Sequence, residues 1–233
     1  MVYNWLDIIQ DCLLPPTCIL CGNPGYGSRD ICCACYAQLP RNNLCCYRCA
    51  EILETPIIAP MLCGRCLSRT PAFDRSHAPF IHQGAIRHLI GSLKFGANYT
   101  NARLLGMLLV EHLTLNAERP ELILPVPLHP ARYRQRGFNQ AIEIARTVAK
   151  EMLIPLDLSS CHRHRDTPHQ TTLPAKKRRK NLKHAFSLVK PIHARHVAIL
   201  DDVMTTGTTA HELAALLKKA GVNRVDVWVC ARA

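Results

Sequence analysis

Two adjacent carboxylates followed by hydroxyls and a glycine, Asp201-Asp202-Val203-Met204-Thr205-Thr206-Gly207-Thr208-Thr209, are the residues of this chain best suited to chemistry. The apolar stretch ahead of them, within an expected strand over 197–203, reads as buried, and residues 210–220 carry helical periodicity. In an open parallel sheet, ligands bind just past the carboxyl ends of strands, where a loop feeds a helix N-terminus. Thr205, Thr206, Gly207, Thr208 and Thr209 would offer backbone N–H groups, four hydroxyls and the positive end of a helix dipole, which together suit a phosphate. Asp201 and Asp202 can accept hydrogen bonds from vicinal hydroxyls, and a diol beside a phosphate describes a ribose 5-phosphate. A Walker loop also cradles phosphate, but the Gly-Lys-Ser/Thr it requires does not occur in the sequence. A strand and turn with a threonine helix cap would use the same residues structurally. The order strand, acid pair, Thr/Gly loop, helix favours the ligand site.

The segment resembles the phosphoribosyl-pyrophosphate motif of type I phosphoribosyltransferases. Cations that could meet an anionic ligand stand elsewhere. Arg132, Arg134 and Arg136 alternate after Pro125-Val126-Pro127-Leu128 and before Gly137-Phe138-Asn139-Gln140. Arginine suits bidentate phosphate contact, although a solvated basic loop would look the same. Arg165 precedes Thr167 and Gln170, and the cationic run Lys176-Lys177-Arg178-Arg179-Lys180 follows, as a mobile lid, a polyanion contact or plain solvated surface. Lys94, ending Leu93-Lys94-Phe95, has a plain explanation in complementing a helix C-terminus. The twelve histidines carry no catalytic expectation.

Thirteen cysteines form the second constellation, ten of them between Cys18 and Cys66. Eight group as Cys-x-x-Cys pairs: Cys18/Cys21, Cys32/Cys35, Cys46/Cys49 and Cys63/Cys66. Intervals of 10 and 13 residues within each double pair are close to zinc-ribbon spacing, so structural Zn²⁺ is expected. Cys33 and Cys45 adjoin presumed ligands and could shift the register. A stretch this rich in Pro and Gly holds little apolar material for a core of its own, and metal binding can supply about 10–16 kcal/mol of apparent folding free energy. Disulfides or redox activity are the weaker reading, because the chain reads as cytoplasmic.

That reading rests on Met1–Leu14, which lacks a basic n-region, and on the lack of any window long and apolar enough to span a membrane. The formal charge of +12 favours an anionic partner, nucleotide, nucleic acid or membrane surface. With 233 residues there is room for a medium domain and a small module. A short amphipathic helix is expected over 1–14, the cysteine module to about residue 70, and helices over 84–96, 101–115 and 137–152. Strands are expected over 122–128, 154–159, 197–203 and 225–230. Alternating strands and helices predict an α/β fold, a parallel sheet flanked by helices, preceded by a small zinc-ribbon-like module. The expected units are 1–72 and 73–233.

Taken in order, the cysteine knuckles, Leu93-Lys94-Phe95, Val126-Pro127-Leu128, Arg136-Gly137-Phe138-Asn139-Gln140, Thr167-x-x-Gln170, Arg178-x-x-Asn181 and the Asp201-Asp202 loop resemble the ComF family, GntX-type proteins included. The resemblance spans about Cys18 to Arg232. It implies a zinc finger on a type I phosphoribosyltransferase-like domain and a role in natural competence, with single-stranded DNA, a translocase ATPase and single-strand-handling proteins as partners, at the inner face of the cytoplasmic membrane. It raises the weight of Lys94, Arg136 and Arg178. Three functions remain open. One is a DNA-uptake accessory protein with a pocket for phosphoribosyl pyrophosphate or a related ribose phosphate. Another is an active phosphoribosyltransferase of nucleotide metabolism, with Asp201 and Asp202 catalytic and Mg²⁺ bridging pyrophosphate and hydroxyls. The last is a zinc-ribbon contact module on a relic domain. An intact acid pair and Thr loop count against a relic. No base-specificity element is evident, and basic loops with few interleaved aromatics favour phosphate contact over base stacking.

Overall fold

The computed structural model describes residues 15–54, 61–165 and 185–233. The helix expected over 1–14, the cationic run 176–180 with Arg178, and the positions Thr167, Gln170 and Asn181 lie outside the described residues.

Five parallel strands form the central sheet: β1 (Arg75–His77), β2 (Phe80–Ile81), β3 (Leu122–Pro125), β6 (His196–Met204) and β7 (Arg224–Arg232). The order is β1-β7-β6-β3, with β2 continuing the pairing along β7. The two long strands are nearly all buried, as expected of a sheet covered on both faces. Side chains alternate across them. Ala198, Leu200, Trp228 and Cys230 face one core with α3 (Gly84–Gly96), α4 (Tyr99–Asn116) and α6 (Gln140–Met152). Val197, Ile199, Val225, Val227 and Val229 face the other, against α7 (Thr208–Lys219).

The cysteine module straddles this sheet. Its first knuckle, including α1 (Cys33–Ala37), packs Ile31 and Leu39 on the α4 side. There Arg29 pairs with Glu111 at 2.6 Å, Tyr36 bonds the same carboxylate, and Arg103 pairs with Asp30. The second knuckle, including α2 (Gly64–Ser68), joins the α7-side core with Phe73. Arg232, buried at the end of β7, donates to Cys49 O at 3.3 Å and Met204 O at 3.0 Å and pairs with Glu51. One guanidinium thereby ties the second knuckle to the carboxyl ends of the strands.

Several expectations shift. The helix over 84–96 is found as read, and that over 101–115 extends to Tyr99–Asn116. The helix expected over 137–152 begins at Gln140 behind an Asn139 cap, as α6, and a further short helix, α5 (Pro130–Arg136), ends just before Gly137. The strand over 122–128 stops at Pro125. Residues 154–159 form no strand, and Leu156 makes only an isolated bridge to Ile123. A small antiparallel pair, β4 (Cys161–Arg163) with β5 (Phe186–Leu188), was not expected from sequence.

Candidate functional site

Strand β6 carries Asp201 and Asp202 inside its last half, so the two carboxyls leave on opposite faces. Asp202 turns to the α3 side. Its Oδ1 accepts the Val203 N–H at 2.8 Å, and its Oδ2 meets Lys94 Nζ at 2.6 Å, with 5% of the Asp202 side chain exposed. The Lys94 ammonium therefore does not merely complement a helix end. It neutralises half of the acid pair across the fold.

Asp201 turns to the α7 side and lines a cavity of about 40 Å³ with Val126 and Thr205–Thr209. Burial, and after it the charge of Asp202, pushes its carboxyl up to about 7, against the opposing effects of the Asp202 N–H and Lys94. The loop leading to α7 turns at Gly207, whose φ of +73° is a left-handed value that a side chain rarely adopts. A Cβ there would also come within 3.4 Å of Met204 Sδ. Thr206 and Thr208 hydroxyls bond each other at 2.8 Å, the Thr208 N–H donates to Thr206 Oγ1 at 3.4 Å, and the cap residue Gly207 offers the first turn of α7 no side chain. Its leading N–H groups and dipole face the loop, an arrangement that can hold a phosphate.

A basic cavity of about 500 Å³ opens on the other side of Lys94, lined by Lys94, Phe95, Arg132, Gln135, Arg136 and Phe138 among others, with no carboxylate among the described residues of its wall. Because residues 130–136 are helical, Arg132 and Arg136 share a face while Arg134 points away. The Arg136 guanidinium lies 5.9 Å from the centroid of Phe95, an 84% exposed ring. Arg165 is exposed beyond β4, and β5 packs on α7, so Arg165 is not part of that wall. Sequence reading missed His82. Burial, then the nearby Lys94 charge, lowers its pKa, while Asp202 raises it, placing the imidazole within the same electrostatic group. It lies two residues before α3, and no local pattern marks it.

The cysteines form two four-thiol groups, Cys18/Cys21/Cys32/Cys35 and Cys46/Cys49/Cys63/Cys66, each with its sulfurs within 4.8 Å of one another. Cys33 and Cys45 stand outside both, so the register does not slip. Tetrahedral zinc with Zn–S of about 2.3 Å separates its sulfurs by about 3.8 Å. The Cys21–Cys32 and Cys49–Cys63 sulfurs are 3.6 Å apart. Burial alone would raise the Cys18 and Cys46 thiols, but surrounding backbone N–H groups outweigh it and bring them down to about 6 and about 7. Both groups fit structural zinc by donor set and spacing.

Residues 9–67 match the double zinc ribbon domain family. The chain is 35% identical over 225 residues to the DNA utilization protein YhgH of Escherichia coli O157:H7, covering 94% of this chain and 98% of that protein. It is 34% identical to competence protein F of Haemophilus influenzae, covering 93% and 96% respectively. The chain belongs to the ComF family. Among solved structures it is similar to a glutamine phosphoribosylpyrophosphate amidotransferase from B. subtilis complexed with ADP and GMP, at 22% identity and a TM-score of 0.38, covering 55% of this chain and 26% of that one. That likeness is too low to bear on function.

In this ComF-family chain much of the Arg136–Gln140 motif is architectural. Gly137 ends α5 at φ +80°, Phe138 is buried, and Asn139 caps α6 while its amide donates to Val126 O at 3.0 Å. Arg136 donates to Gln140 Oε1 at 3.1 Å and is the member that faces the basic cavity.

Proposed function

We propose that the chain serves DNA utilisation as a handler of incoming single-stranded DNA. In this reading the Thr205–Thr209 loop and Asp201 hold a ribose phosphate, and the neighbouring basic cavity holds strand phosphates. The supporting observation is the position of Lys94, which joins Asp202 on one side and lines the Arg132/Arg136 cavity on the other. A single cation thus connects a sugar-phosphate loop to a surface suited to a polyanion. Asp201 accepts from the ribose diol, the α7 N–H groups take the phosphate, and Asp202 with Lys94 fixes the end of β6. The ligand is phosphoribosyl pyrophosphate or the terminal sugar phosphate of a strand. With the pyrophosphate ligand, Mg²⁺ would offset part of its negative charge. The zinc ribbons hold the module against the sheet, and a translocase ATPase and single-strand-handling proteins in the cytoplasm are the partners this role calls for. Residues 1–72 and 73–233 are the units of this reading, with Arg165 and Arg178 as further phosphate contacts.

One observation favours pentosyl transfer as a second reading. A cavity of about 380 Å³ adjoins the loop, walled by Pro71, Phe73, Met204, Arg69 and Thr206–Thr208, and gives room for a flat ring beside the ribose position.

The test is transformation frequency in the source host, or growth on DNA where the host is not competent. Wild type, a deletion and a chromosomal Asp201→Asn/Thr206→Val variant are compared at equal protein level. The proposal expects deletion and variant to fail alike. A deletion that uses DNA normally overturns it and leaves the transferase reading ahead.

A further inference from the structure

A cavity of about 490 Å³ lies where the second knuckle, the outer strand β1 and the last turns of α4 meet, and it shares no wall residue with the loop cavity. Arg41, Asn42, Tyr47, Arg75, His77 and His112 line it, and no Asp or Glu is among the described residues of its wall. In a folded protein, arginines at a cavity wall are ordinarily matched by carboxylates. Here they are held by rings instead. The Arg41 guanidinium lies 4.5 Å from the Tyr36 centroid and 5.0 Å from that of Phe80, and Arg75 lies 4.6 Å from that of Tyr47. The carboxylates whose charge reaches this region are committed elsewhere. Glu111 is bonded by Arg29 and Tyr36, and Asp226 by His196 and Arg224 at 3.0 and 3.1 Å.

Buried polar atoms of the same wall are also without partners among the described residues. His77 is 2% exposed with Nε2 unbonded, Ser76 Oγ is unbonded, and Asn42 Oδ1 is unbonded although its amide is fixed on Ala50 O and Ala78 O at 3.0 and 3.2 Å. Leaving such groups unmet is costly, so their concentration at one cavity points to a ligand. Burial, then Arg75, pushes the His77 pKa down to about 3. The imidazole is neutral at physiological pH and acts as a hydrogen-bonding group, while the arginines carry the charge.

We propose that this cavity is a second anion site, which takes a phosphate group between Arg41 and Arg75. The two guanidinium groups, the Ser76 hydroxyl and His77 Nε2 supply bonds from several directions, as a tetrahedral polyanion requires. Asn42 Oδ1 accepts from a hydroxyl or amino group carried on the same ligand. The phosphate comes either from the backbone of a single strand or from a free nucleotide. The site does not depend on the ribose-phosphate reading of the loop.

The experiment uses the full zinc-loaded chain. Imidazole resonances of His77 and His112 are followed by NMR during titration with inorganic phosphate and with thymidine monophosphate. Fluorescence anisotropy of an oligothymidylate is measured against salt. Wild type should show saturable imidazole shifts that persist in Asp201→Asn and vanish in Arg41→Gln/Arg75→Gln. If the strand is the source, the double variant binds the oligonucleotide about tenfold more weakly, with a salt slope shallower by about 1.4, the equivalent of two phosphates. Unchanged oligonucleotide affinity with the monophosphate response abolished assigns the site to free nucleotides. Absence of imidazole shifts in wild type, together with equal oligonucleotide affinities, overturns the proposal whether or not the variant is fully stable.

Discussion

Asp201 holds its proton unusually long for an aspartate, because burial and the neighbouring Asp202 charge push its carboxyl up to about 7. In the unfolded chain the same group titrates near about 3.9. Between about pH 4 and 7 the folded chain therefore keeps a proton that the unfolded chain has lost, and this group's contribution to stability falls as pH rises across that window. Urea midpoints measured from pH 4 to 8 should show that component in wild type and lose it in Asp201→Asn. Ribose-phosphate affinity should move the other way, rising through pH 7 as the acceptor ionises, with the Asn variant flat by comparison. Asp202 is different, since both its oxygens are engaged and Lys94 is 19% exposed beside it. Removing one partner leaves a poorly hydrated charge, so Lys94→Met or Asp202→Asn alone should cost about 3 kcal/mol. The double variant should cost less than the sum in a denaturation cycle, and additivity would show that the pair is not coupled. The acid pair was legible in the sequence because strand, acids and loop are contiguous. Its division between two faces follows from strand alternation, but the Lys94 contact joins distant positions and no local pattern announces it. His82 was invisible for the same reason.

At the scale of elements, the knuckles were the most legible feature, since ligand spacing is itself the geometric requirement for a tetrahedral metal. Their burial differs. Cys21 is exposed and Cys35 half-buried, whereas Cys46, Cys49, Cys63 and Cys66 are all buried. Elemental analysis should return two zinc ions per chain, one for each four-thiol group. A chelator should remove one rapidly and the other only as the fold opens, while release of both at one rate would contradict this order. Helix α5 was legible but read as a loop: Pro130 at its first position, the His129 cap and Gly137 at its end are helix boundary signals that the arginines drew attention from. Strands β1 and β2 span three and two residues, too short for an alternating pattern to register. Gly106 permits the approach of α4 to α6, since a Cβ there would sit 2.7 Å from Thr147 Cβ. Gly106→Ala should destabilise the domain by about 1–3 kcal/mol in urea titrations, a cost of overpacking, even though alanine favours the helix.

Across the whole molecule, the zinc module reaches both faces of the sheet, and part of the basic excess behind the formal charge of +12 lines two cavities, that of Lys94, Arg132 and Arg136 and that of Arg41 and Arg75. The parallel α/β architecture was readable from alternating periodicities. The way the ribbons clamp the sheet was not, because it depends on single long-range contacts such as Arg232 to Cys49 and Glu51. Single-strand affinity should fall linearly on a log–log plot against salt, by about 0.7 per phosphate engaged, and Arg132→Gln/Arg136→Gln should lower that slope without changing zinc content. The central claim is that the β6–α7 loop is a ribose-phosphate site, and calorimetric titration of the zinc-loaded chain with phosphoribosyl pyrophosphate addresses it most directly. The account predicts saturable binding in wild type and none in Asp201→Asn/Thr206→Val, with the variant still folded by circular dichroism. Equal binding in the two proteins, or none in wild type, would contradict it.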